Sequence, residues 1–291
     1  MLMWFFLSLA STFLYSFRRF SEKKLADKTD HFILGWAVQA FSLPGVALTL
    51  FFATIPGLTS LSYNFWIPLL IIWLILYPLQ AYFYYKSLKE GEVSFVLPLM
   101  STIPIFTVVI SWFLLGELPS FVGFLGIFSI VAGIYSLNIR PNTHLLSPLI
   151  HLFRDKPSLF MIINCLCLAL GSTLDKVAIK ASNPLFYGFI NTLGATIILF
   201  IIATLTNKNF SSSTKNNLKG FSLLGILQTV AFICYTIALN TGIVSYVLAI
   251  KSSAAILGSV LGVIFLKEKL TKPKTAALFF IFLGLIFIAL A

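Results

Sequence analysis

Ten apolar runs divide the sequence, at 2–17, 32–53, 65–85, 93–115, 120–138, 158–179, 184–205, 220–240, 243–265 and 275–291. Each is about as long as a helix must be to cross a hydrocarbon core roughly 30 Å thick. That medium offers the backbone no hydrogen-bond partner, so a crossing segment has to satisfy itself as a helix. The pattern therefore predicts an all-α integral membrane protein of ten transmembrane helices. Composition agrees: 59% of the residues are hydrophobic and 10% are charged, where soluble domains have about 25% charged. The first run lacks a basic leader and a small-residue cleavage site, so it reads as a retained span. No connecting segment is long enough for a separate soluble domain. The longest, 139–157, carries Pro141, Pro148 and Pro157 and reads as a linker between halves at 1–138 and 158–291.

The formal net charge of +11 suits a nucleic-acid partner less well than a lipid surface, because of where it sits. Loops after the odd-numbered spans hold Arg18, Arg19, Lys23, Lys24, Lys28, Lys86, Lys89, Arg140, Arg154, Lys156, Lys208, Lys215, Lys219, Lys267, Lys269, Lys272 and Lys274. The opposite side holds Lys176 and Lys180, and Lys251 lies within span 9. The positive-inside rule then puts the odd-numbered loops in the cytoplasm and both termini outside. The basic loops contact anionic headgroups of the bilayer, and a bacterial inner (plasma) membrane is the expected location. Cys165, Cys167 and Cys234 all fall inside spans, as small buried hydrophobes do.

Sliding the chain along itself by 151 residues aligns Tyr84–Leu137 with Tyr235–Ile288 without a gap, and 15 of 54 positions are identical. The identical pairs include Tyr84/Tyr235, Gly91/Gly242, Ser94/Ser245, Ser101/Ser252, Glu117/Glu268 and Gly133/Gly284. A weaker match at a shift of 153 pairs Glu22 and Lys23 with Asp175 and Lys176, and Gly35 with Gly188. The repeat is thus five helices long. Five is odd, so the second copy enters from the opposite face and the pair is inverted, as in many secondary transporters.

Ten spans in two inverted halves, each closing on a small-residue helix, an LGEL or LKEKL turn and a last apolar helix, resemble the EamA-type members of the drug/metabolite transporter superfamily. The resemblance covers essentially the whole chain. It implies export or exchange of small metabolites, with four helices of each half around a central cavity and the fifth at the periphery. Ten-span relatives usually have cytoplasmic termini, the reverse of what the charge bias gives here.

The residue that most needs an explanation is Lys251, in the run SYVLAIKSSAAIL. Val247, Ala254, Ala255, Gly258 and Gly262 share its helical face, while Ile256, Val260, Val263 and Ile264 take the other. A span starting near residue 244 puts its Cα roughly 10 Å from that edge. Snorkelling to the headgroups is the bland reading; a cation facing the bundle interior marks a ligand or ion path. Its counterpart in the first repeat is Met100, so the charge belongs to one copy only. Lys251 is therefore the candidate contact for a carboxylate or phosphate, or a lysine that loads and releases a proton.

Further substrate-binding candidates are Ser252, Ser253, Ser101, Gln80, Gln228, Tyr84, Tyr235, Asn164, Asn191 and Gln39. Each can hydrogen-bond a solute, and each can equally serve as glue between helices. The two tyrosines also suit an interfacial aromatic belt. Hinge or gate candidates are Pro98 and Pro104, which interrupt span 4, and Glu117 and Glu268, which precede spans 5 and 10. For the two glutamates, capping the dipole of the helix that follows is the structural alternative. No Asp or Glu falls near the middle of a span, which gives a carboxylate-centred antiport no support.

These residues predict a secondary transporter moving a small metabolite by alternating access, in the simplest case as a monomer. His31, His144 and His151 lie in loops or at a span edge, without a zinc-protease motif or a phosphate-binding loop. A membrane-embedded enzyme is thus the weaker alternative, as is a lipid-binding or scaffold subunit, and no metal or cofactor is called for.

Overall fold

A computed structural model describes residues 2–26, 29–57, 61–91, 97–137, 155–206, 210, 214, 217–254 and 272–291. Most of the linker, together with Gly258, Gly262 and Glu268, lies outside them. The described residues contain no strand. The chain is an all-α integral membrane protein whose ten helical spans form two inverted five-helix repeats.

In chain order the helices are α1 (Met3–Ala26), α2 (His31–Leu48), α3 (Tyr63–Ile71), α4 (Tyr77–Glu90), α5 (Ile103–Leu115), α6 (Phe121–Leu137), α7 (Lys156–Lys180), α8 (Pro184–Thr206), α9 (Leu218–Thr241), α10 (Val244–Ser252) and α11 (Lys272–Leu290). Together α3 and α4 make span 3. Among the described residues five spans, within 32–52, 63–84, 156–180, 184–206 and 218–241, are long and apolar enough to cross a membrane on that ground alone.

Two elements differ from the expectation in an instructive way. Helix α1 continues past the apolar run to Ala26, because lysine, arginine and glutamate are good helix formers once the chain reaches the interface. Span 3 changes its hydrogen-bond register at Ile72–Leu76, a π turn between α3 and α4. Pro78 explains it: a proline has no N–H to give the carbonyl four residues back, here that of Leu74, and its ring crowds that carbonyl. Span 4 shows the related effect. Its described part starts as a 3-10 turn at Leu97–Thr102, which contains Pro98, and becomes α-helical at Ile103, with Pro104 in the first turn of α5.

The helices sort into two compact units. One comprises Met1–Phe5, Ile75–Leu174 and Gly242–Ala291, the other Phe6–Leu74 and Asp175–Thr241. Neither coincides with a repeat, since each draws helices from both halves of the chain.

In the first unit α6 and α11 form a close pair. A Cβ on Gly126 would stand 2.9 Å from the carbonyl oxygen of Gly284, and one on Gly284 would stand 2.7 Å from that of Gly126. Small residues let backbones approach this closely where lipid supplies no hydrophobic drive between helices. In the second unit α2 packs on both α8 and α9. Ile33, Leu34, Ala37 and Val38 bury against Ala203, Phe221 and Leu224, with Trp36 and Phe41 alongside. Gly225 gives Phe41 its place, and Thr229 donates to the Ser42 carbonyl at 3.1 Å.

Candidate functional site

Lys251 sits in the last turn of α10. The seven residues before it, Val244–Ile250, are all buried, whereas Lys251 and Ser252 are half-buried. Ser253 closes the helix behind it, its amide donating to the Ala249 and Ile250 carbonyls and its hydroxyl to the Ile250 carbonyl at 2.6 Å.

Most other candidates in this unit are occupied with structure. Gln80 Nε2 donates to the Cys167 carbonyl at 3.3 Å and ties α4 to α7. Asn164 is buried and its amide points to the Met161 sulfur on its own helix, 3.8 Å away. Ser101 is buried in the 3-10 turn, and Tyr84 is exposed.

Glu117 does something its position in the sequence does not suggest. Its Oε2 accepts from the amide of Val244 at 3.0 Å and so caps α10, not α6, the helix it precedes. α10 returns the contact. The Tyr246 hydroxyl accepts from the Ser120 amide at 2.8 Å, just before α6 begins. The turn between α5 and α6 and the start of α10 thus satisfy each other's orphan donors. Gly116 makes that turn possible at φ +67°, a conformation that favours glycine.

In the second unit one carboxylate, Asp175, receives two tyrosine hydroxyls. Asp175 Oδ1 accepts from the Tyr187 hydroxyl at 2.5 Å, and Oδ2 from the Tyr235 hydroxyl at 3.3 Å. Tyr187 is wholly buried and Tyr235 nearly so. Tyr235 therefore ties α9 to the end of α7 and does not stand in a lipid-facing belt. Lys176, expected at the membrane edge, is likewise buried within α7.

Farther along α8, the buried Asn191 accepts from the Trp73 indole N–H at 2.9 Å. Trp73 lies in the π turn and fills the space that Gly194 leaves open. Gln39 is half-buried on α2, and Gln228 is buried on α9. Among the described residues no group of His, Cys, Asp and Glu could hold a metal ion.

The sequence matches the family model described as the EamA-like transporter family twice, over residues 2–139 and 156–290. The chain belongs to the EamA-like transporter family. It is a multi-pass integral membrane transporter of the drug/metabolite type. A solved structure described only as "Crystal structure of protein" has the same fold, with a TM-score of 0.74 over 98% of this chain and 95% of that one at 16% identity. A search of curated proteins gives no match.

Proposed function

We propose that the protein is a secondary transporter that carries a small metabolite bearing a carboxylate or phosphate group across a bacterial plasma membrane, by alternating access of its two inverted repeats. Lys251 is the anchor for the anionic group, and the observation that carries the reading is its setting. A cation inside a transmembrane span is costly unless it meets an anion, a dipole or water. Lys251 and Ser252 are half-buried, after seven buried residues of the same helix. The first repeat has a methionine there, so the charge is no requirement of the shared scaffold. A lysine on one side of an otherwise symmetric pair gives the solute a fixed orientation, and its strongly hydrated point charge suits a small anion.

Counterflow in proteoliposomes tests this. Lys251→Met should abolish exchange of an anionic solute, and Lys251→Arg, which keeps the charge, should retain part of it. Equal rates for wild type and Lys251→Met, or a preference for lipophilic cations, would sink the proposal. Chemical conversion of the solute without net flux would favour the enzyme alternative.

A further inference from the structure

Two buried polar atoms along the α8–α9 seam of the second unit have nothing to bond. Gln228 is 6% exposed and Thr192 is 2% exposed. Gln228 Oε1 and Thr192 Oγ1 are both buried without a hydrogen-bond partner. Neighbouring polar residues show the usual outcome. Thr196 returns its hydroxyl to the Thr192 carbonyl, Thr229 donates to the carbonyls of Gly225 and Ser42, and Asn191 receives the Trp73 indole. A threonine in a membrane helix ordinarily makes that return bond to its own backbone. Thr192 does not, so its hydroxyl is left for another group.

Helix geometry places the two residues at about the same level along α8 and α9. A Cβ on Gly188 would lie 3.8 Å from Cε1 of Phe232, which brings Gly188 of α8 near the level of Phe232 on α9. The two are consecutive spans and run antiparallel. One turn forward from Gly188 is Thr192, and one turn back from Phe232 is Gln228, each a step of about 6 Å. Each stays within about 40° of the face that makes the Gly188–Phe232 contact. Both side chains are therefore turned toward the same seam.

The chemistry of the pair selects its ligand. Gln228 Oε1 can only accept, whereas the Thr192 hydroxyl can donate. A single hydroxyl on a solute satisfies both, donating to the glutamine and accepting from the threonine. An ammonium has donors but no acceptor, and a carboxylate has acceptors but no donor. Neither Thr192 nor Gln228 has a charged residue within one helical turn along its own helix to offset an ionic ligand. We propose that Gln228 and Thr192 bind a hydroxyl group of the transported solute, which makes this protein a carrier of a hydroxylated metabolite. The inference rests on the transport reading of the chain but not on the role given to Lys251.

Thermal melting of the full chain in detergent tests it, with glycerate against propionate and gluconate against hexanoate as probe pairs that differ in their hydroxyls. In wild type the hydroxylated member of a pair should raise the melting temperature by a few degrees more than its partner. Gln228→Met and Thr192→Val should abolish that difference while leaving the ligand-free melting temperature unchanged or raised, since each removes an unpaired buried polar atom. In Lys251→Met the preference for the hydroxylated member should persist. Equal shifts within both pairs in wild type, zero included, overturn the proposal. So does a fall in the ligand-free melting temperature of Gln228→Met, the mark of a structural hydrogen bond or a bound water.

Discussion

Glu117 caps a helix that begins 127 residues further along the chain, through the 3.0 Å bond from the Val244 amide to its carboxylate. The helix it serves is the one that carries Lys251, so a turn in the first repeat positions the proposed anion contact in the second. Replacing an N-terminal capping group costs about 1 kcal/mol. Glu117→Ala should therefore lower the melting temperature in detergent by about 2–4 °C. Tyr246→Phe, which loses the bond from the Ser120 amide, should do the same. The two substitutions touch the same pair of helix starts, so their sum should depart from additivity in a double-mutant cycle. Strict additivity would show that the contacts act independently.

The cluster at Asp175 predicts an order of effects. A hydrogen bond to a charged group contributes about 1.5–3 kcal/mol, and a longer one contributes less. Tyr187→Phe, which removes the 2.5 Å bond, should destabilise more than Tyr235→Phe, which removes the 3.3 Å bond. If Tyr235 serves this clasp, counterflow normalised to folded protein should be unchanged in Tyr235→Phe. A selective loss of transport at full stability would return Tyr235 to the list of solute contacts.

Close helix approach gives a third expectation. A side chain at Gly284 must displace the backbone of α6, since its Cβ alone would come within 2.7 Å of the Gly126 carbonyl oxygen. Gly284→Leu should cost about 1–3 kcal/mol, as overpacking does. Gly35, in the interior of α2, has nothing within 4 Å of the corresponding position. There Gly35→Ala should stabilise by about 0.5–1 kcal/mol through its better helix propensity. Melting of the two variants side by side checks both signs, and equal responses would contradict the packing described.

The ten spans were legible because hydrocarbon leaves a chain little choice: a run of apolar residues without charge must become a helix. The inverted repeat was legible for a related reason, since residues such as Gly133 and Gly284 answer the same packing demand in both copies. What escaped was decided by tertiary contact. Asp175 lies near the end of its span and looked peripheral, because its partners are 12 and 60 residues away in sequence. Glu117 was expected to serve the nearest helix dipole, yet the amide it meets belongs to the other repeat. Asn191 and Gln228 were equivalent candidates by residue type. Tertiary structure tells them apart: the π turn presents Trp73 to Asn191, whereas Gln228 Oε1 is buried without a hydrogen-bond partner.

Orientation supplies the last prediction, and there charge and family precedent pull apart. With ten spans, Arg18 and the basic residues of the later odd-numbered loops share one side of the membrane by sequence. Moving so many cations through the bilayer during insertion opposes the membrane potential and the pull of anionic headgroups on the cytoplasmic face. That bias favours both termini outside, although relatives with ten spans usually keep them in the cytoplasm. A phosphatase reporter fused after Ala291 should therefore be active and a cytoplasm-dependent fluorescent reporter dark. The opposite pair of signals would place every basic loop outside and require a force stronger than the positive-inside bias to hold it there. Introducing four lysines into the loop around Ser182 and Asn183, on the sparsely charged side, should weaken the preference and yield a mixed population by the same two reporters. An unchanged single orientation would show that helix packing, and not loop charge, decides how this chain enters the membrane.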